Sequence, residues 1–355
     1  MKGLILAAGL GTRLRPITSL RPKPTISVAN KPLIHHAVDN LRKAGIDNIG
    51  VVVGVATEVS IRETLAEIDG VTFEYIMQDP PLGLAHAVKV AQPYLGDDSF
   101  VMYLSDNLFE RGIDYFVDAF HATEGANAVL ALVTVPDPRA LGVAVVEDGR
   151  ITKLVEKPEV PPSNLAVAGV YVFDSSIHEA IRGLEPGAKG EYQITDAIQR
   201  LIDSGGTVAP VLVEGWWKDT GRAEDILDAN RLMLAALRGR VDGLVEKCEL
   251  VGEVVIEQGA EVRNSTIFGP ALIGRGAKVD HAYIGPFTTL GDDVTVNDAE
   301  LEYSVVGSGS SISHIGTRIQ ASLIGEDVVL TGHDGRPSTH RLIVGDESRI
   351  ELQEG

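Results

Sequence analysis

Two hydrophobic periods divide the chain. Up to about residue 240, short apolar runs alternate with apolar stripes at helical spacing. The runs at 4–8, 49–54, 73–78 and 100–104 offer little or no polar side to water, which predicts buried strands. Between them, 31–44 carries Ile34, Ala37, Val38, Leu41 and Ala44 on one face and stops at Gly45, which predicts a helix. A second helix is predicted at 58–68. Strand, helix, strand at this spacing predicts a parallel sheet with right-handed crossovers. A helix near 113–122, a strand at 128–135, and an Asp148-Gly149 hairpin joining 141–146 to 150–158 follow. Next come a strand at 166–171, a helix ending at 202, a strand at 208–213 and a helix at 223–237.

Beyond Gly239–Gly243 the pattern changes. Aliphatic residues recur at Leu250, Ile256 and Val262, then at Ile267, Ile273 and Val279, then at Ile284, Leu290 and Val296, then at Leu301. Steps of six, six and five give a 17-residue unit, which continues less regularly at Val306, Ile312, Ile319, Ile324 and Leu330. One aliphatic residue per face of a repeated coil predicts a parallel β-helix. Two domains are therefore expected, 1–240 and 241–355, with Leu342-Ile343-Val344 and Ile350-Glu351-Leu352 as a cap over the coil end.

Composition narrows the function. A chain of 355 residues exceeds what one core usually serves. A formal net charge of −19 argues against nucleic-acid or anionic-membrane partners, which need a basic footprint. Any anionic substrate must then be held by local cations. The single cysteine, Cys248, makes no intrachain disulfide and reads as a small buried apolar side chain. The apolar start meets Arg13 and Arg15 too soon for a signal segment, and no run approaches a membrane span. A cytoplasmic protein is expected.

The candidate chemistry begins where the first strand runs into Gly9-Leu10-Gly11-Thr12-Arg13. Glycines let backbone N–H groups approach an anion, and Arg13 and Lys23 supply positive charge. Leu14 stands where a dinucleotide fingerprint needs its third glycine, and the Gly-Lys-Ser/Thr of a P-loop is absent. A plain strand-to-helix turn stays open on these residues alone. Asp106 follows the buried run 100–104, where open α/β sheets place ligands, although a turn cap would use the same residue. Glu156-Lys157-Pro158 reads equally as a surface ion pair or as part of a site.

The string Leu6-Ala7-Ala8-Gly9-Leu10-Gly11-Thr12-Arg13-Leu14, with Lys23-Pro24 following, resembles the signature of the sugar-1-phosphate nucleotidylyltransferases. The resemblance covers nearly the whole chain and is greatest to the long-form branch that transfers thymidylyl groups to glucose 1-phosphate. It implies a Rossmann-like α/β domain followed by a left-handed β-helix, whose ideal coil is three hexapeptides. It also implies that Leu6, Ala8, Gly9, Gly11 and Thr12 wrap the nucleotide triphosphate while Arg13 and Lys23 hold its phosphates. Gln78 and Gly83 would read the base. Asp106 would bind Mg²⁺, with Ser105 where many members have Gly. Asp219, in Trp217-Lys218-Asp219-Thr220-Gly221, would be the second metal ligand. Gly142, Glu156, Lys157 and Val167 would form the sugar-phosphate pocket, with Glu191 near the sugar.

The implied reaction is dTTP plus glucose 1-phosphate giving dTDP-glucose and pyrophosphate, in a homo-oligomer that binds neither nucleic acid nor membrane. Three alternatives stand beside it. Ala8 and Arg21-Pro22-Lys23-Pro24 are as similar to uridylyl- and guanylyl-transferring relatives. Acyl transfer on the coil could use His281, His314 or His333, but five coils without a long inserted loop make a poor acyl-donor site. A regulatory subunit would show decayed motifs, whereas Arg13, Lys23, Asp106, Lys157 and Asp219 are all present.

Overall fold

The computed structural model describes residues 1–187, 190–332 and 347–351. The chain packs into two compact units. One contains Met1–Leu10, Arg21–Thr25 and Leu33–Asp219; the other contains Gly11–Leu20, Ile26–Pro32 and the chain from Thr220 on.

In chain order the elements before the coil are β1 (Lys2–Leu6), β2 (Ser27–Val28), β3 (Lys31–Pro32), α1 (Leu33–Lys43), β4 (Asn48–Val53), α2 (Glu58–Leu65) and β5 (Thr72–Met77). Then come α3 (Leu84–Leu95), β6 (Phe100–Leu104), β7 (Asn107–Phe109), α4 (Asp114–Ala122), β8 (Ala126–Thr134), β9 (Gly142–Glu147), β10 (Arg150–Glu156) and β11 (Leu165–Phe173). The series ends with α5 (Ile177–Arg182), α6 (Ile194–Asp203), β12 (Thr207–Leu212), β13 (Trp217–Asp219) and α7 (Ala223–Ala235).

The first unit is built on a nine-stranded sheet ordered β10-β9-β11-β6-β1-β4-β5, with β8 paired to β11 and β12. The half around β1 is parallel, as the strand-helix-strand pattern predicts: β1 pairs β4 and β6, and β4 pairs β5. On the other side β11 runs antiparallel to β6, β8 and β9, and β9 and β10 form the Asp148-Gly149 hairpin. Both faces are covered, so β1 has no polar side. Leu4 and Leu6 join the core containing Val88 of α3 and Ile198 of α6, while Ile5 and Ala7 join the core containing Val38 of α1 and Phe116 of α4. Leu6 is in register with Leu104 and with Val52, so Ala7-Ala8 and Ser105-Asp106 leave the sheet at one carboxyl edge.

The second unit is the repeat. Leu250, Ile267 and Ile284 stack in parallel register, as do Ile256, Ile273 and Leu290, and Val262, Val279 and Val296. These aliphatics form one core together with Leu301, Val306 and Ile312. The arrangement is the stacked parallel coil that the period predicts. Ala29 and Asn30 both have positive φ in the β2–β3 turn. Asn30 Nδ2 donates to the Leu290 carbonyl at 2.8 Å, and Asn230 of α7 accepts from Ala29 N and Thr289 Oγ1 at 2.9 Å each. These bonds group α7 with the coil, whose first strand lies at Arg240–Val241. Of the expected cap, Ile350 and Glu351 are exposed, while Leu342, Ile343, Val344 and Leu352 lie outside the described residues, as does His333. Among the described residues no helix is long and apolar enough to cross a membrane.

His178 of α5 is buried against Phe100, rings 15° apart, with neither ring nitrogen hydrogen-bonded among the described residues. Burial holds its pKa below the ordinary histidine value. A histidine that protonates more readily unfolded than folded withdraws stability as pH falls below the unfolded value, about 6.5. Replacing His178 by Leu is expected to flatten that acid-side loss in urea titrations from pH 7 to 5. An unchanged pH slope would refute this assignment.

Candidate active site

Lys23 is the centre of the first unit's polar residues. It opens a 3-10 turn, Lys23–Thr25, and is buried with its side chain 11% exposed. Its Nζ lies 2.6 Å from Asp106 Oδ2 and 3.6 Å from Asp219 Oδ1. Three residues far apart in sequence thus meet as one cation between two carboxylates.

Asp106 is placed by the end of β6, where Ser105 Oγ donates to the Leu6 carbonyl at 2.7 Å. Asp219 is placed by a pairing that sequence periodicity does not reveal. Strands β7 and β13 form a separate two-stranded sheet in which Asp219 lies opposite Asn107. Trp217 Nε1 donates to Asn107 Oδ1 at 2.7 Å, and Asn107 Nδ2 donates to Asp106 Oδ1 at 2.7 Å. Asn107 therefore fixes one oxygen of Asp106 while the other faces Lys23. Trp217 is a packing and hydrogen-bonding residue, as its type suggests. Asn107 fits because Gly169, at φ +70°, has no Cβ; one there would lie 2.6 Å from the Asn107 side chain. Gly169 sits where the β11–β8 register breaks between Val167 and Tyr171.

A second group forms at the β9–β10 hairpin, where Gly142 and Glu156 are directly paired. Glu156 accepts from Thr195 Oγ1 at 3.2 Å and pairs with Lys157 Nζ at 2.8 Å. A Cβ on Gly142 would press on Thr195, 2.9 Å away, and touch Val167 at 3.8 Å. Gly142, Glu156, Lys157 and Val167 are thus brought together, and Thr195 joins them from α6. Burial, reinforced by Glu156, raises the pKa of Asp196 and of the Tyr171 phenol above their ordinary ranges.

Gln78 and Gly83 also meet: Gln78 Nε2 donates to the Gly83 carbonyl at 3.0 Å. Gly83 has φ +99°, and Tyr192 backbone atoms fill the space a Cβ would need. Glu191 stands beside this turn, its Cβ 3.2 Å from that position, rather than in a bond to Glu156 or Lys157.

Leu6 and Ala8 are buried at the sheet edge, and the space over Gly9 is open, so packing does not demand a glycine there. In the second unit, Gly11 is left-handed at φ 61° and precedes the 3-10 turn Thr12–Leu14. The Gly11 carbonyl accepts from Leu14 N and Thr18 Oγ1, which closes the loop and leaves Thr12 and Arg13 exposed. Among the described residues no three acidic, histidine or cysteine side chains converge as a ready-made metal site.

Residues 2–236 match the nucleotidyl transferase family, and the chain belongs to it. Over 355 residues it is 46% identical to the glucose-1-phosphate thymidylyltransferase of Streptomyces griseus, covering 99% of each chain. It is 45% identical to that of Streptomyces antibioticus, over 99% of this chain and all of the relative. Among solved structures it resembles a Bacillus anthracis chain assigned as a glucose-1-phosphate thymidylyltransferase, solved with sucrose. The TM-score is 0.62 at 34% identity, over 68% of this chain and 98% of the other.

The Asn107–Gly169 contact gives a test. Gly169→Ala is expected to lower stability by about 1–3 kcal/mol through the positive φ and the clash. Displacing Asp106 through Asn107 is expected to slow nucleotidyl transfer on the order of 100-fold. Denaturant midpoints and turnover measured together check this. Full turnover in a destabilised variant would remove Asn107 from the site's function.

Proposed function

We propose that this chain transfers the thymidylyl group of dTTP to glucose 1-phosphate, giving dTDP-glucose and pyrophosphate, with Mg²⁺ held by Asp106 and Asp219. The observation that carries the reading is the Lys23 ammonium between two carboxylates at the sheet's carboxyl edge. Full-length likeness to two Streptomyces thymidylyltransferases supports the substrate pair.

The sugar-phosphate oxygen attacks the α-phosphorus in line as pyrophosphate leaves, so the protein needs no nucleophile of its own. Positioning and charge neutralisation supply the catalysis. Arg13 and Lys23 hold the triphosphate and stabilise the leaving pyrophosphate. Lys157, already oriented by Glu156, takes the sugar 1-phosphate, while Glu156 accepts from sugar hydroxyls. Asp106 and Asp219 fit Mg²⁺ because both offer hard oxygen donors around a position a cation already favours. When bound, the ion neutralises charge on phosphate oxygens. The reading includes self-association in the cytoplasm, with coil faces as the contact, which light scattering tests.

Pyrophosphate release with Mg²⁺, crossing five nucleoside triphosphates with glucose, mannose, galactose and N-acetylglucosamine 1-phosphates, is expected to peak at dTTP with glucose 1-phosphate. A peak elsewhere replaces the substrate pair, and no release with any pair refutes the reading. Asp106→Asn is expected to lose at least about 100-fold in turnover with its unfolding midpoint retained. Near-normal turnover would overturn the metal assignment.

A further inference from the structure

His86 lies three residues beyond Gly83, in the first turn of α3. Gln78 is 4% exposed and anchored through its backbone N–H to the Val53 carbonyl at 2.8 Å. Its Nε2 lies 3.0 Å from the Gly83 carbonyl and 3.2 Å from His86 Nδ1. A backbone carbonyl only accepts, so the NH₂ end of the amide must face Gly83. Nδ1 of His86 must then accept the second hydrogen, which places the imidazole proton on Nε2. Both hydrogens of Gln78 are thereby used. Among the described residues no hydrogen bond takes up its Oε1, which is left as an acceptor.

His86 is itself held. Its ring stacks on Tyr192 with centroids 6.2 Å apart and planes 27° apart. Tyr192 is pinned to the same turn, donating from N to the Leu82 carbonyl at 2.7 Å and accepting from Ala85 N at 3.1 Å. Burial first, and then the Lys89 ammonium, push the His86 pKa below the ordinary histidine value, so the ring is neutral at pH 7, as an acceptor must be.

We propose that His86 is a specificity-determining positioning residue: by accepting from Gln78 it fixes the amide with Oε1 available, and so selects bases that present a ring N–H. Thymine and uracil carry that proton on N3 and guanine on N1. Cytosine N3 and adenine N1 carry lone pairs, which an amide oxygen repels. The inference rests on the proposed nucleotide chemistry only in taking Gln78 as the base reader.

Calorimetric binding of dTTP and dCTP to the full-length protein tests it without turnover. In His86→Ala the dTTP:dCTP affinity ratio is expected to fall about 10-fold or more, since an amide held by the Gly83 carbonyl alone turns over more readily and can then answer either base. His86→Gln, which restores an acceptor, is expected to recover most of the ratio, and kcat at saturating dTTP should change little. Long-range proton–nitrogen spectra of the wild type should show His86 protonated on Nε2. Equal weakening of both nucleotides in His86→Ala, no recovery in His86→Gln, or an Nδ1-protonated ring would each overturn the proposal. A wild type that binds dTTP selectively but releases no pyrophosphate would refute the thymidylyl-transfer reading and leave the His86 result standing.

Discussion

A lysine ammonium buried to about one tenth exposure cannot stand without counter-charge, and this requirement organises the first unit. Lys23 reaches the carboxyl edge of the sheet on a turn whose three residues, Lys23, Pro24 and Thr25, are all buried. Asp106 is delivered by the strand next to β1, and Asp219 by a three-residue strand that pairs with β7. Removing Lys23 would leave two facing carboxylates uncompensated, whereas removing one carboxylate leaves the other as its counter-charge. Fold and site therefore depend on the same three residues.

The carboxylate geometry is set by a chain of polar contacts reaching into the core. The Asn107 side chain joins Trp217 to Asp106, and the Asn107 backbone carbonyl accepts from the Tyr103 hydroxyl at 2.9 Å. That hydroxyl in turn accepts from Asn40 of α1 at 3.0 Å. Tyr103 is fully buried, and burial raises its pKa above the ordinary range, so it serves as a neutral donor at every physiological pH. Buried polar groups of this kind hold position because each has a partner. The register break at Gly169 belongs to the same arrangement: a regular strand with a side chain there would occupy the space Asn107 needs.

Much of this was legible in the sequence where a repeating pattern or a special residue wrote it. Asp106 ends an apolar run, Asp148-Gly149 marks its hairpin, and the aliphatic period lays out the coil face by face. The β7–β13 pair was not legible, because three-residue strands have no period to detect. Its pairing follows from the contacts of Asn107 and Trp217. The grouping of α7 with the coil was hidden for a related reason. It rests on Asn230 and on a left-handed Ala29-Asn30 turn, single residues that resemble ordinary helix and loop positions. His86 escaped notice because its significance depends on which end of the Gln78 amide faces a carbonyl, a fact of geometry alone.

The irregular spacing late in the coil has a local physical cause. From Ile256, Ile273, Leu290, Val306 and Ile324 to Val262, Val279, Val296, Ile312 and Leu330 the step is always six. The third residue of each such step is left-handed: Gly259, Gly276, Asp293, Gly309 and Asp327. From the Val262 column to the next coil the step is five, with the left-handed position second, at Asn264, His281 and Asp298, and also at His314, where the step lengthens to seven. The five-residue step from Leu301 to Val306 likewise turns on a left-handed second residue, Tyr303, whereas the six-residue step before it turns on Phe287, the third. Strand pairing fixes the faces, so length differences are absorbed at corners. Most of these corners turn on a residue of positive φ, a role for which Gly, Asn, Asp and His are suited. His281 and His314 each pair with an acidic side chain, Asp280 and Asp298, at 3.1 Å. Corner geometry accounts for both histidines without assigning them any chemistry.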